Sequence, residues 1–196
     1  MNKAPDHDSL FHVAEAQAGY FTAAQARAAG FERALLAYHA SRGLFERIQR
    51  GVYRLKRFPA APNEDLFIAC LRVGPQAVIS HDSALALYEL SDHLPAEVHL
   101  TVPRTTSRRH NGLRLHTSRL EARDVVQYNG LRVTTVPRSI VDAATGGLAE
   151  ELIIQAIHQA LRLGMASPQE MRTADTRGNR RIADLIARAT QEVSPE

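Results

Sequence analysis

The sequence predicts an α+β protein built in two parts, and three observations carry that prediction. The first sixty residues run helix, helix, short turn, helix and then two strand-like runs rich in arginine. A stretch with two prolines in five residues, Phe58-Pro59-Ala60-Ala61-Pro62, then interrupts the chain. Beyond it, strand-like runs mix with helical periodicity that gathers toward the end. At 196 residues and 44% hydrophobic, such a chain buries roughly 70% of its unfolded surface and needs no disulfide or metal staple. One cysteine, Cys70, excludes an intrachain disulfide and any Cys-rich zinc module. No apolar run approaches the ~20 residues of a membrane span, and none follows the first lysine, so neither a membrane partner nor a signal peptide is expected. The sequence reads as soluble and cytoplasmic.

In chain order, Asp8 is the expected cap of a helix over 9–18, where Leu10, Phe11, Val13, Ala14 and Ala18 recur at helical spacing and Gly19 stops it. Tyr20-Phe21 is a short extended segment. Thr22 caps Ala23–Ala29, and Gln25 three residues on completes a capping box. Gly30 ends that helix, and a third runs from Phe31 to Arg42 with Gly43 as its stop. Leu44–Ile48 and Val52–Leu55 flank a Gly-containing turn and predict a hairpin. This order is that of a winged helix-turn-helix over 1–58, with a linker at 59–62 and an α+β domain over 63–196.

Charge points to what such a module would hold. Net charge is only +3, but 22 of the 24 basic residues are arginine, the side chain suited to bidentate grips on phosphate or guanine. Residues 42–57 carry +5 and residues 104–119 another +5, leaving the rest at −7. Two basic islands on an acidic body suggest an anionic polymer bound at defined places. On the third helix, Phe31, Ala34, Leu35 and Tyr38 are expected to pack inward, leaving Arg33, Leu36, Ala37 and Ala40 free for a major groove. Thr22, Gln25 and Arg42 flank that face, and Arg47, Gln49, Arg50 and Arg54 form the wing that would reach phosphates or the minor groove. The alternative is a small helical core with a solvated basic face, or a protein-docking module.

In the second part, Asn63 caps a helix over 64–73 and Gly74-Pro75 breaks it. Residues 77–79 form a short buried strand, Ser80 caps a helix reaching Leu90, and 98–102 and 113–117 read as strands. A hairpin joins 124–128 to 131–135 through Asn129-Gly130, and helices follow at 138–145, 149–163, 168–173 and 178–190. Arg104, Arg108 and Arg109 lie between two strands, in either a mobile hairpin loop or a second nucleic-acid contact. Arg177, Arg180 and Arg181 at a helix start are open to the same two readings.

No enzyme, cofactor or metal is expected. Ser80-His81-Asp82 has triad residue types, but consecutive side chains diverge, and a capping Ser followed by surface groups accounts for it better. Nine histidines include no His-x-His or His-x-x-x-His spacing, and no acid lies between His110 and His116. Thr145-Gly146-Gly147-Leu148 lacks the lysine of a phosphate loop.

The run Tyr20-Phe21-Thr22-Ala23-Ala24-Gln25-Ala26, then Gly30, then Gly43 through Arg54 with its Arg50-Gly51-Val52-Tyr53 turn, resembles the N-terminal domain of AbiEi-type antitoxins. Ala77–Leu90, Glu97–Pro103 and Thr135–Ala144 resemble that family too, so the likeness spans roughly 8–190. These proteins are transcriptional regulators of type IV toxin–antitoxin (abortive infection) operons. The resemblance implies an autorepressor that reads repeats in its own promoter, with double-stranded DNA as partner. It also implies a functional partner, a nucleotidyltransferase-like toxin, countered without a stable complex, so that direct binding is not implied. A stand-alone regulator would share every one of these features. Some longer proteins that resemble this one carry a nuclease domain after a helix similar to 178–190; the carboxylates and lysine of that chemistry are not found here.

Overall fold

The structure, a computed structural model, describes residues 4–106 and 110–192. Its elements fall into two compact units. In the first, α1 (His7–Glu15) is capped by Asp6, whose carboxylate accepts the Ser9 N–H at 2.9 Å. The expected cap, Asp8, instead lies in the first turn, where its charge faces the positive end of the helix dipole. The helix stops short of the expected Ala18, which takes a φ of +55° ahead of Gly19 at +86°. A Cβ on Gly19 would lie 2.5 Å from the Phe58 ring, so glycine is required there for space as well as for φ.

β1 (Tyr20–Thr22) leads into α2 (Ala23–Ala28), and the reciprocal Thr22–Gln25 capping box forms as the sequence predicts. After α3 (Arg33–Ser41), β2 (Phe45–Gln49) and β3 (Val52–Leu55) make the hairpin. The antiparallel sheet has the order β1-β3-β2, with β3 central and a bulge in β2 between Arg47 and Gln49. Phe21, Phe31 and Phe45 meet edge to face, at 5.1 Å for Phe21–Phe45 and 5.7 Å for Phe31–Phe45, and Leu10, Ala14, Ala26, Ala29 and Leu36 close the core around them.

α4 (Glu64–Val73) belongs to this first unit, which runs to Pro75. The division expected at 59–62 is therefore displaced to the end of α4. The helix packs on β1 and β3, and the Tyr20 hydroxyl donates to Glu64 Oε2 at 2.5 Å. The two prolines end the wing without ending the unit. Asn63, expected to cap α4, takes a left-handed φ of +59° and makes no side-chain cap bond.

The second unit holds a five-stranded sheet of order β6-β5-β4-β8-β7. Its strands are β4 (Val78–Ile79), β5 (Val98–Val102), β6 (Leu113–Thr117), β7 (Val125–Tyr128) and β8 (Leu131–Thr134). β4 runs antiparallel to β5, while β5–β6 and β4–β8 are parallel. Asn129 and Gly130 take the two positive φ angles, +49° and +79°, of the predicted hairpin turn. Helices α5 (His81–Leu87), α6 (Val136–Gly146), α7 (Glu150–Arg162), α8 (Pro168–Thr173) and α9 (Arg180–Glu192) complete the unit. α5 packs on α6 and β5, α6 on α7, and α7 on α9, burying Leu85, Ile140, Ile153 and Ile157. Arg138 on α6, only 8% exposed, is held by three partners: Asp142 at 2.9 Å, Asp124 at 3.2 Å and the Ser118 hydroxyl at 2.9 Å. Burial raises the Asp142 carboxyl, and the Arg138 guanidinium opposes that shift.

Candidate nucleic-acid interface

α3 presents a narrow polar stripe, but not quite the one its apolar residues suggest. Leu36, expected on the outer face, is 4% exposed and belongs to the core. Leu35 packs against that core from the side, and the His39 ring lies 5.7 Å from Phe31 and 5.2 Å from Phe45. The buried stripe is thus 35, 36 and 39 rather than 34, 35 and 38. One residue of offset is about 100° of rotation on a helix of 3.6 residues per turn. The compensating change is that Ala34 and Tyr38 turn outward, Tyr38 to 52% exposure. Arg33 and Ala37 stand exposed as predicted, with Ala40 half-buried at the edge. Burial, with His7 beside it, pushes the His39 imidazole below its ordinary value.

Tyr38 was expected in the core together with Ala34, because an aromatic is ordinarily assigned there. Its position four before Arg42 was the available signal: the Arg42 guanidinium lies over the Tyr38 ring at 5.6 Å. The pair extends the exposed face by a flat cationic group at the end of α3.

Thr22 and Gln25 serve the local fold first. The Thr22 hydroxyl accepts the Gln25 N–H at 3.1 Å, the Gln25 Oε1 accepts the Thr22 N–H at 2.8 Å, and the Gln25 amide donates to Gln17 Oε1 at 2.9 Å. Both are half-buried.

The wing divides by strand. Arg47 on the edge strand β2 and Arg50 in the turn are exposed, as are Lys56 and Arg57 after β3. Arg54 differs because β3 is central: it stands opposite Tyr20, its guanidinium lies 5.6 Å over that ring, and Nη2 donates to the Phe58 carbonyl at 3.0 Å. It braces the base of the wing rather than its tip. Gln49 is half-buried at the bulge, with a buried Nε2 that has no hydrogen-bond partner among the described residues. The Tyr20 hydroxyl beneath this brace is pushed up to about 12 by burial and by its bond to Glu64.

In the second unit, the exposed Arg104 opens a 3-10 turn over Arg104–Thr106, while Arg108 and Arg109 lie outside the described residues. Arg177, itself exposed, reaches the buried Asp142 at 3.4 Å and donates to the Ser118 hydroxyl at 2.5 Å. Arg180 and Arg181 are exposed and pair with Asp184 and Glu150. Sequence spacing also failed to show a histidine cluster in which His81 and His99 are buried and His116 half-buried. His81 and His116 stack at 3.5 Å between centroids, with His99 5.1 Å from His116. Each comes from a different element, so no short spacing marks them. No group of three ligands suited to a metal occurs among the described residues. Ser80 is the N-cap residue of α5, as expected, but its side chain makes no cap bond. A φ of +52° at His81 brings its Nδ1 to within 2.9 Å of Ser80 Oγ, contrary to the expectation that the two diverge. Asp82 faces His93 at 4.0 Å instead, so no third member joins the pair.

Residues 8–56 match the model of a family described as transcriptional regulator, AbiEi antitoxin. The match takes in α1 to α3 and the whole wing, a quarter of the chain, and it agrees with the winged-helix reading of that segment. No curated protein matches the chain.

Proposed function

We propose that this chain is a sequence-specific DNA-binding regulator, the autorepressor and antitoxin of a type IV toxin–antitoxin operon. The observation that carries the reading is the exposed stripe Arg33, Ala37, Tyr38 and Arg42 on α3, in the same unit as the free wing arginines Arg47 and Arg50 and within the stretch that matches the regulator family. α3 supplies the major-groove reader. Arg33, in its first turn, addresses a guanine edge, and the small Ala37 and Ala40 leave room for a thymine methyl. Arg47, Arg50, Lys56 and Arg57 hold phosphates and fix the register. Thr22, Gln25, Gln49 and Arg54 act on DNA through the geometry they impose on α2 and the wing. No catalytic step is assigned. The protein acts in the cytoplasm, and its toxin is nucleotidyltransferase-like, countered without a stable complex.

The test is fluorescence anisotropy on the chain's own promoter and on scrambled DNA of equal length across a salt series. About five neutralised phosphates give a slope of log K against log salt of roughly −4 to −5. A ~10³-fold preference for the promoter is expected of an operator reader. A steep slope without preference reduces the module to an unspecific grip, and absence of binding at low salt leaves protein docking as its role.

A further inference from the structure

Two large apolar side chains of the kind that cores ordinarily take are left open on the first unit. Phe11 on α1 is 44% exposed, and Leu44 just ahead of β2 is 39% exposed. Both line a cleft of about 430 Å³ together with Leu55, Phe58 and the buried Leu10 and Phe45. The Phe11 and Phe58 rings lie 6.5 Å apart across their centroids. Phe45 and Leu55 pair at the end of the hairpin away from its turn at Arg50-Gly51. No residue of α3 and none of that turn lines the cleft, so an occupant leaves the proposed reading face free. An open apolar surface rimmed by polar groups marks a place of association.

The charges on the cleft say with what. Asp8, in the first turn of α1, and Arg57, after β3, both line it. Both are exposed, and neither forms an ion pair among the described residues. The carboxylate disfavours nucleic acid or an anionic membrane, and the guanidinium disfavours a purely basic partner. A surface with an apolar centre and one charge of each sign is complementary to itself. A two-fold axis through the cleft sets Phe11 and Leu44 against their own copies and brings each Asp8 to the Arg57 of the other chain, so one kind of patch satisfies both surfaces.

We propose that this cleft is the interface of a homodimer, with Phe11 and Leu44 at its centre and reciprocal Asp8–Arg57 pairs beside them. The dimer forms without DNA and does not rest on the DNA reading. Arg57 is thereby taken into the interface, and Arg47, Arg50 and Lys56 remain for phosphates.

Sedimentation equilibrium of the full chain without DNA tests it. At micromolar concentration the mass is expected to be twice the 21.7 kDa of one chain. Phe11→Asp sets two carboxylates into the apolar centre and should weaken the dimer tenfold or more. Leu44→Asp repeats that test from a residue outside any helix. Asp8→Arg and Arg57→Asp each place like charges opposite one another twice over, and each alone should weaken the dimer tenfold or more. An equimolar mixture of those two variants should recover the parent affinity to within threefold, because every cross-chain contact is again arginine to aspartate. Circular dichroism spectra of all four variants are expected to match the parent. A dimer that persists while promoter binding fails would sink the DNA reading and leave this interface standing. A parent that stays monomeric at micromolar concentration overturns the proposal, as does a dimer indifferent to Phe11→Asp and Leu44→Asp, a mixture that does not recover, or an open-ended assembly in place of a closed pair. A monomer that takes up an apolar dye, lost in Phe11→Asp, would overturn it in favour of a small apolar ligand.

Discussion

Arg33 and Leu36 sit three residues apart on one helix and make opposite predictions. Arg33 is exposed in the first turn of α3, and its removal takes away a base contact while leaving the core intact. Arg33→Ala is expected to cost about 1–3 kcal/mol on promoter DNA and little on scrambled DNA. An equal loss on both would make it a phosphate contact. Leu36 is sealed among Phe31, Phe45 and Ala26, so Leu36→Ala removes packing and leaves a cavity, costing about 2–5 kcal/mol. A urea-midpoint shift, with promoter affinity unchanged per folded molecule, is the expected signature. A full-stability variant with lost DNA affinity would return Leu36 to the groove. The sequence made Arg33 and Ala37 legible because charge and small size read the same way on either helix face. It hid Leu36 and Tyr38 because α3 carries apolar residues nearly all round, and composition alone cannot choose which 100° sector faces in.

The wing hairpin was legible as an element, from its alternating apolar and charged residues around Gly51, but the role of each arginine depends on strand order. A hairpin alone has two edges; β1 adds a third strand and turns β3 into the centre. Arg54 thereby becomes a brace over Tyr20, whereas Arg47 and Arg50 remain free. Arg47→Glu with Arg50→Glu is expected to abolish promoter binding with an unchanged circular dichroism spectrum and urea midpoint. Arg54→Glu is expected to lower the midpoint as well, since it removes the Phe58 carbonyl's donor and places a carboxylate near Glu46 and Glu64. If Arg54→Glu unfolds no more readily than the double variant, the brace does not matter to stability. Gly19 closes the same base from the other side: Gly19→Ala combines a positive φ with a methyl driven into the Phe58 ring, and a loss above 1 kcal/mol is expected.

At the scale of the whole molecule, local signals placed most helices and strands of the second unit to within a few residues, and the Asn129-Gly130 turn in full. The order β6-β5-β4-β8-β7 and its parallel pairs were beyond reach, because they join strands separated by long crossovers. The histidine cluster is the consequence with a measurable output. Burial, aided by the like-charged ring of His116, pushes His81 down to about 2, and burial holds His99 and His116 at about 4 with Arg114 and neighbouring imidazoles adding to it. All three folded values lie below the 6.5 of an exposed imidazole, so between the two limits the unfolded chain binds more protons than the folded one. Stability therefore rises with pH across that window: the contribution is complete above about pH 6.5 and is lost as pH falls toward 4. His99 and His116 together allow a slope of at most about 2.7 kcal/mol per pH unit, reduced in practice because His116 is only half-buried. Asp82 and Asp142, raised by burial, run the other way and blunt the slope at its acid end. Urea midpoints measured from pH 7.5 to 4.5 should fall steeply below 6.5, and His116→Gln should flatten that fall by removing one titrating ring. A parent midpoint that holds level down to pH 5 would mean that the stacked rings accept a proton in place, which their 3.5 Å separation opposes.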